Sequence, residues 1–436
     1  MTVHYPELAE RARSQRTAQP GVYGKVDFDR MPYRFTADLA DKSALPAWVD
    51  KRARVLADDR AVELIRTTTM LGDVVADPYA ALSATYGVKG VIRMLARACR
   101  EGSDAVPDAP AELRTFVAAM ERTPAWLDMQ LVEEGARHAR VGAAYLGPFL
   151  NRGAFLATFL NTYAALPMAL TGALTGRRAA HRINETASFF AITTLPGALD
   201  RHGPGFEAAA MVRLMHSIVR YNALTRAGRW DVDIYGIPIP QVDQMPAGLI
   251  NLYLAAMSAR RRGRTTFDEG ERATLEFSRY RGYLLGLPEE LLPTTADEII
   301  QLFHARAACL RHDFDATCAE LVRSTMDAYL RPRRTVQDRA FEVVERSWSK
   351  LFVLGFFGGD RKAAATAGVR IGPTDVGCVA LTAPFLVGRF AAVVAANQQR
   401  LLRDAMDAHT TRIVEKRLAD YGRAEFVTDP QAYPAR

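Results

Sequence analysis

Two short stretches hold the residues best suited to chemistry. The run Met211-Val-Arg213-Leu-Met-His216-Ser-Ile-Val-Arg220 sets one histidine between two arginines in an otherwise apolar sequence, and thirty residues before that histidine stands Thr186, the end of Arg182-Ile-Asn-Glu185-Thr186. On a helix, Val212, His216, Val219 and Ala223 share a face, and Arg213 and Arg220 flank the histidine at i−3 and i+4. A haem iron asks little of a protein: a neutral imidazole on a rigid element, an apolar floor, and cations for two propionates. This helix offers all three. A hydrogen-bonded core histidine fits the same pattern, and spacing alone does not separate the two. Upstream, Arg182 and Thr186 are helical neighbours with Glu185 beside them. Bound dioxygen and its reduced forms gather negative charge, which a cation and a hydroxyl in a dry pocket stabilise. Glu185 is placed to deliver or accept a proton. The plain alternative is an Arg182–Glu185 surface pair with a helix-interior threonine.

The elements that would position these groups read as helices almost throughout. Apolar residues recur at helical spacing over about 46–73, 77–101, 110–120, 129–147, 152–175, 179–194, 205–227, 245–261, 268–285, 295–328, 336–356 and 376–418. Gly and Pro fall between them, as in Leu195-Pro-Gly197 and Gly203-Pro-Gly205, and Gly228 is placed to stop the histidine helix. The β-favouring run Ile234–Pro240 carries two prolines and suits an extended loop. The expectation is an all-α protein: an irregular arm over 1–45, a large helical core over 46–328, and C-terminal helices over 329–436 packed on it.

Bulk properties narrow the function. The chain has 436 residues, 49% hydrophobic and 24% charged, so it can bury a large core. Its net charge of +7 is spread over short clusters without interleaved aromatics, which argues against a nucleic-acid partner. Four cysteines form no CxxC or CxxCH, leaving structural zinc, thioredoxin chemistry and covalent haem attachment without support. There is no P-loop, GxSxG, HExxH or GxGxxG after a strand. The N-terminus lacks the plan of a secretory signal, so a cytoplasmic location is expected. The most membrane-like segment, 141–176, is broken by Arg152, Asn151, Asn161 and Pro167, and reads as two buried core helices rather than a span.

Arg182-x-x-Glu185-Thr186, Leu195-Pro-Gly197 and Arg213-Leu-Met-His216-x-x-x-Arg220 at this spacing resemble the latex clearing protein (rubber oxygenase) family and its wider MpaB-type relatives. Similar stretches are Leu45-Pro-Ala-Trp48, Tyr163-Ala-Ala165, Gly236-Ile-Pro-Ile-Pro-Gln241-x-Asp243 and Tyr280-Arg-Gly-Tyr-Leu-Leu-Gly-Leu-Pro288, so the likeness runs from about 45 to 300. The resemblance implies a non-covalent haem b in a globin-like helical core with additional helices. It makes His216 the iron's protein ligand, with Arg213 and Arg220 supporting haem retention, and it puts Arg182 and Thr186 in the distal pocket with dioxygen as co-substrate. Well-known members cleave carbon–carbon double bonds of isoprenoid chains. Two departures matter. Where rubber oxygenases have a lysine beside the distal threonine, this chain has Glu185, so a lysine-closed iron is excluded. No Asp or Glu lies between Gly135 and Asn184 to serve as the family's base near Tyr163.

Three readings follow. The first is a haem oxygenase acting on a small hydrophobic, alkene-bearing molecule with dioxygen. The second is a haem enzyme that uses peroxide or catalyses oxidative cyclisation or coupling. The third is a non-enzymatic helical binder of lipid, which would be colourless.

Overall fold

Helix starts are written into the sequence as side-chain caps. Asp58 accepts from the Ala61 amide at 3.0 Å to begin Asp59–Thr69. Reciprocal Asp268/Glu271, Thr295/Glu298 and Thr335/Asp338 boxes begin Glu269–Leu284, Ala296–Cys309 and Val336–Phe356. Each cap satisfies amides that the first helical turn leaves without partners, contributing about 1 kcal/mol. The structure, a computed structural model, describes residues 3–49, 51–170, 177–226, 230–331 and 334–421. Among these the protein is all-α: no strand forms, and extended backbone pairs only at the isolated bridges Phe35–Leu310 and Ser43–Arg311.

The helices gather into two compact units. Within the described residues, one unit comprises 3–135 and 199–312 and the other 136–198 and 313–421. The first is built around Leu64, Ile65, Leu249, Leu252, Leu291 and Ile299, all essentially without solvent contact. Its longest members are Pro204–Thr225 and Gln241–Arg261. The stretch read as an irregular arm opens with a helix, Pro6–Ala18, started by proline at its first position. Buried Gln15 ties that helix inward, donating to the Met70 carbonyl at 2.9 Å and accepting from the Gly72 amide at 2.8 Å.

The second unit packs Gly147–Ala157, Thr162–Leu170, Arg177–Ile192, Ala316–Asp327, Val336–Phe356, Pro373–Gln398 and Arg403–Tyr421. The membrane-like segment is indeed two helices, Gly147–Ala157 and Thr162–Leu170, meeting at a 104° bend. Residues 171–175 of the expected 152–175 helix, and Gly228, lie outside the described residues. Several expected helices are divided: 46–73 between Leu56 and Asp59, 77–101 at Leu82 and Gly87, 152–175 between Ala157 and Thr162, and two runs nearer the C-terminus. The 295–328 run breaks after Cys309 and restarts where Asp315 accepts from the Cys318 amide at 2.9 Å, and 376–418 breaks between Gln398 and Arg403. Apolar periodicity continues through both breaks, which is why the sequence hides them.

Arg152, the charge that interrupts the apolar segment, is wholly buried. Its Nε donates to both Glu345 carboxylate oxygens at 3.0 and 2.9 Å, and Nη2 reaches Glu342 at 3.1 Å. Gly153 lets the helices meet at this point, since a Cβ there would stand 2.7 Å from the Ser349 carbonyl. Removing one partner strands the others in a dry interior. Arg152→Ala should therefore cost about 3–5 kcal/mol in denaturant unfolding. Replacing the trio by apolar residues of similar volume should cost far less.

Candidate active site

The Pro204–Thr225 helix is the most enclosed part of the first unit. Proline at its first position and Glu207 in its first turn favour the helix start. Between Met211 and Arg220, every residue except Val212 and His216 is buried. Those two lie one turn apart, so the helix presents a single narrow strip that is not packed away, with the imidazole on it.

The two arginines beside His216 meet carboxylates of the protein itself. Arg213 Nη2 donates to Asp73 at 2.9 Å and its Nε also bonds that carboxylate; Arg220 Nη1 pairs with Asp77. All four side chains are almost completely buried. The arginines expected to meet propionates are thus engaged in internal ion pairs that hold the helix carrying His216. Burial raises the Asp73 carboxyl, but the charge and hydrogen bonds of Arg213 outweigh it and hold the group below the usual carboxylate range. Asp77 goes the other way: burial pushes it up and Asp73's charge adds to this, although Arg220 pulls it down. The Tyr23 hydroxyl also donates to Asp77, and burial beside that charge carries the phenol well above its ordinary value. Gly286 closes over the Arg213 pair at φ +89°, where a Cβ would lie 2.6 Å from Arg213 Nε.

Arg220 does a second task. Nε donates to the Pro238 carbonyl at 3.0 Å and Nη2 to the Ile239 carbonyl at 2.7 Å. Ile239 sits at φ +48°, a left-handed conformation that a β-branched residue avoids. The grip of Arg220 holds that strained turn, and the Gln241–Arg261 helix begins directly beyond it.

That helix returns a chain of amides to the histidine. Gln241 Nε2 donates to the Gly72 carbonyl at 3.1 Å, Gln244 Nε2 donates to Gln241 Oε1 at 3.0 Å, and Gln244 Oε1 meets His216 Nδ1 at 2.9 Å. A backbone carbonyl can only accept, so Gly72 sets the direction of every bond in the series. Gln244 must turn its oxygen to the ring, and His216 Nδ1 must carry the proton. In the neutral ring this leaves the lone pair on Nε2, the form that binds metal. Near Gln241, the half-buried Asp243 is held between Arg34 Nη2 at 2.7 Å and Arg306 Nη2 at 2.8 Å. Burial raises its carboxyl, but the two guanidiniums prevail and lower it. In the Tyr280-Arg281 stretch, Arg281 is fully buried, donates to the Gly248 carbonyl at 3.1 Å, and is pushed down to about 10 by desolvation.

Arg182, Glu185 and Thr186 belong to the second unit, on Arg177–Ile192. Buried Glu185 is paired on both sides, with Arg182 Nη1 at 3.1 Å and His181 Nε2 at 3.2 Å. The Thr186 hydroxyl donates to the Arg182 carbonyl at 3.1 Å. The structure thus groups the six expected residues as two sets of three, one set in each unit. Among the described residues no group of three or more His, Cys, Asp or Glu side chains is placed to hold a metal by itself. A haem iron requires only one such ligand.

A family model described as ER-bound oxygenase mpaB/B′/rubber oxygenase, catalytic domain, matches residues 144–419. The chain belongs to this oxygenase family. The match contains all six expected site residues and continues well past the stretch that carried the resemblance. In fold the chain is similar to a solved structure described as latex clearing protein LCP in the closed state, with a TM-score of 0.57. That likeness covers 80% of this chain and 91% of that one at 19% identity. No curated protein matches it in sequence.

Sequence reasoning missed Asp73, Asp77 and Gln244. Two acidic residues four apart around Val74-Val75-Ala76 could have shown the first pair, because buried arginines need partners. Gln244 lies three residues after Gln241, on the same helix face.

Two measurements check this geometry. In selectively labelled protein, nitrogen NMR should report His216 with its proton on Nδ1, and Gln244→Leu should let the Nε2–H form rise. The folded Asp243 value lies below the unfolded one of about 4, so its stabilisation is complete above that pH and lost as pH falls through the folded value. The melting-temperature gap between wild type and Asp243→Asn should therefore close below about pH 4.

Proposed function

We propose that the protein is a haem b-dependent oxygenase that acts on a small hydrophobic, alkene-bearing molecule. The observation that carries this reading is the amide series from Gly72 to His216, which makes Nε2 a ready electron-pair donor on a rigid helix. The donor set fits the cofactor: one imidazole whose Nδ1 is held as a donor, orienting the ring from behind. His216 would be the protein ligand of the iron, while Arg213 and Arg220 retain the cofactor indirectly by fixing the helix. Haem, when bound, supplies the redox chemistry that activates dioxygen. On this reading Arg182 and Thr186, in the second unit, would supply a positive charge and a hydroxyl for the handling of oxygen. Glu185 would exchange protons through His181, whose side chain is half exposed.

The carboxylate–imidazole contact also favours a second reading, peroxide-driven oxidation, because an acid–base pair can move a proton between peroxide oxygens. Product analysis with dioxygen plus reductant, and separately with peroxide, distinguishes the two. Purified wild-type protein should be pigmented, with a Soret band near ~400 nm. His216→Ala should lose most of the haem while keeping its helical circular dichroism. Equal haem occupancy in both proteins would remove His216 from the ligand role, and a colourless wild type that takes up no added haem would leave the lipid-binder reading. Glu185→Gln should keep the pigment and slow turnover by about 10²–10⁴-fold if the carboxylate moves the proton.

A further inference from the structure

The second unit carries an apolar helix turned outward. Pro373–Gln398 is long and apolar enough to cross a membrane, and none of its most apolar 18-residue stretch is buried. Its inner face uses Phe390, Val393 and Val394 against Val141, Ala144 and Tyr145. Its outer face presents Gly377, Leu381, Phe385, Gly388, Ala392 and Ala395, with Leu381 and Phe385 76% and 77% exposed. This apolar surface continues into the following turn, where Leu401 is 96% exposed and Leu402 stands beside it between Arg400 and Arg403. From Val376 to Arg403 there is no acidic residue, and the three charges in that stretch are all arginines. Arg389 lies over the Tyr145 ring at 5.0 Å, at the edge of the apolar strip rather than across it.

We infer that this face docks on an anionic phospholipid bilayer, lying in the plane of the interface. Leu381, Phe385 and the Leu401–Leu402 turn would enter the acyl boundary, while Arg400 and Arg403 meet lipid phosphates. Charge decides the occupant: the exposed end of the apolar strip sets Arg400 and Arg403 against a single carboxylate, Asp404, and this positive balance complements a negatively charged lipid surface. Orientation follows from the neighbours. The helix packs on Val336–Phe356 and Arg403–Tyr421, and both carry many charges that a spanning arrangement would drag into hydrocarbon. The inference concerns a face without the chemistry-bearing residues and stands whether or not haem binds.

The test is co-flotation of the full chain with two kinds of vesicle, phosphatidylcholine alone and phosphatidylcholine with about one-quarter phosphatidylglycerol. Binding should be strong to the second kind, weak to the first, and reduced by salt. The double variant Leu381→Asp/Phe385→Asp should keep its melting temperature, because both side chains are exposed, and should bind at least about tenfold more weakly. Arg400→Glu/Arg403→Glu should abolish the preference for anionic lipid. A Phe385→Trp reporter should blue-shift on vesicles and be quenched by acyl-brominated lipid. Absence of binding to either vesicle would overturn the proposal. So would a lipid-free dimer that the Leu381→Asp/Phe385→Asp variant disperses, which would show that a second copy covers this face.

Discussion

Two buried ion pairs, Arg213–Asp73 and Arg220–Asp77, are the constraint on which the first unit depends. A guanidinium so fully desolvated is tolerable only with a carboxylate and further acceptors around it. The surroundings comply: the Asp73–Asp77 turn, the Pro238 and Ile239 carbonyls and Tyr23 all point at these charges. Satisfying the arginines therefore fixes the register of the histidine helix against two loops at once. One loop supplies the Gly72 carbonyl and the other starts the helix bearing Gln241 and Gln244. The orientation of His216 is a by-product of meeting the cost of buried charge.

The arginines that flank the histidine are consumed in structure, whereas His216 and Val212 lie on the less buried strip of their helix. In the second unit, the Arg182, His181 and Glu185 cluster pairs within one helix, over contacts one turn long.

The departures from rubber oxygenases are equally physical. A lysine could approach a metal as a neutral amine, whereas Glu185 is already satisfied by two cationic or protonatable partners. The segment near Tyr163 has no carboxylate, so proton traffic has Glu185 as its nearest acidic candidate in sequence. Membership of the oxygenase family therefore leaves room for a reaction other than polymer scission.

What the sequence alone determined is what local rules decide: the all-α class, most helix positions, the isolation of His216 among apolar residues, and the motifs that carried the family resemblance. Helical periodicity and caps act over a few residues, so they are legible without a fold. The breaks at 310–315 and 399–402 were missed because apolar spacing runs across them. Tertiary structure alone decided which charges meet. Arg213 lies 140 residues from Asp73 and Gln244 is 28 residues from His216, so no local pattern pairs them. It also decided which apolar helix stays uncovered. Segment 141–176 looked the more membrane-like, yet it bends by 104° between Ala157 and Thr162, and Pro373–Gln398 faces outward. Composition records how much apolar surface a chain has, but burial depends on which neighbour arrives to cover it.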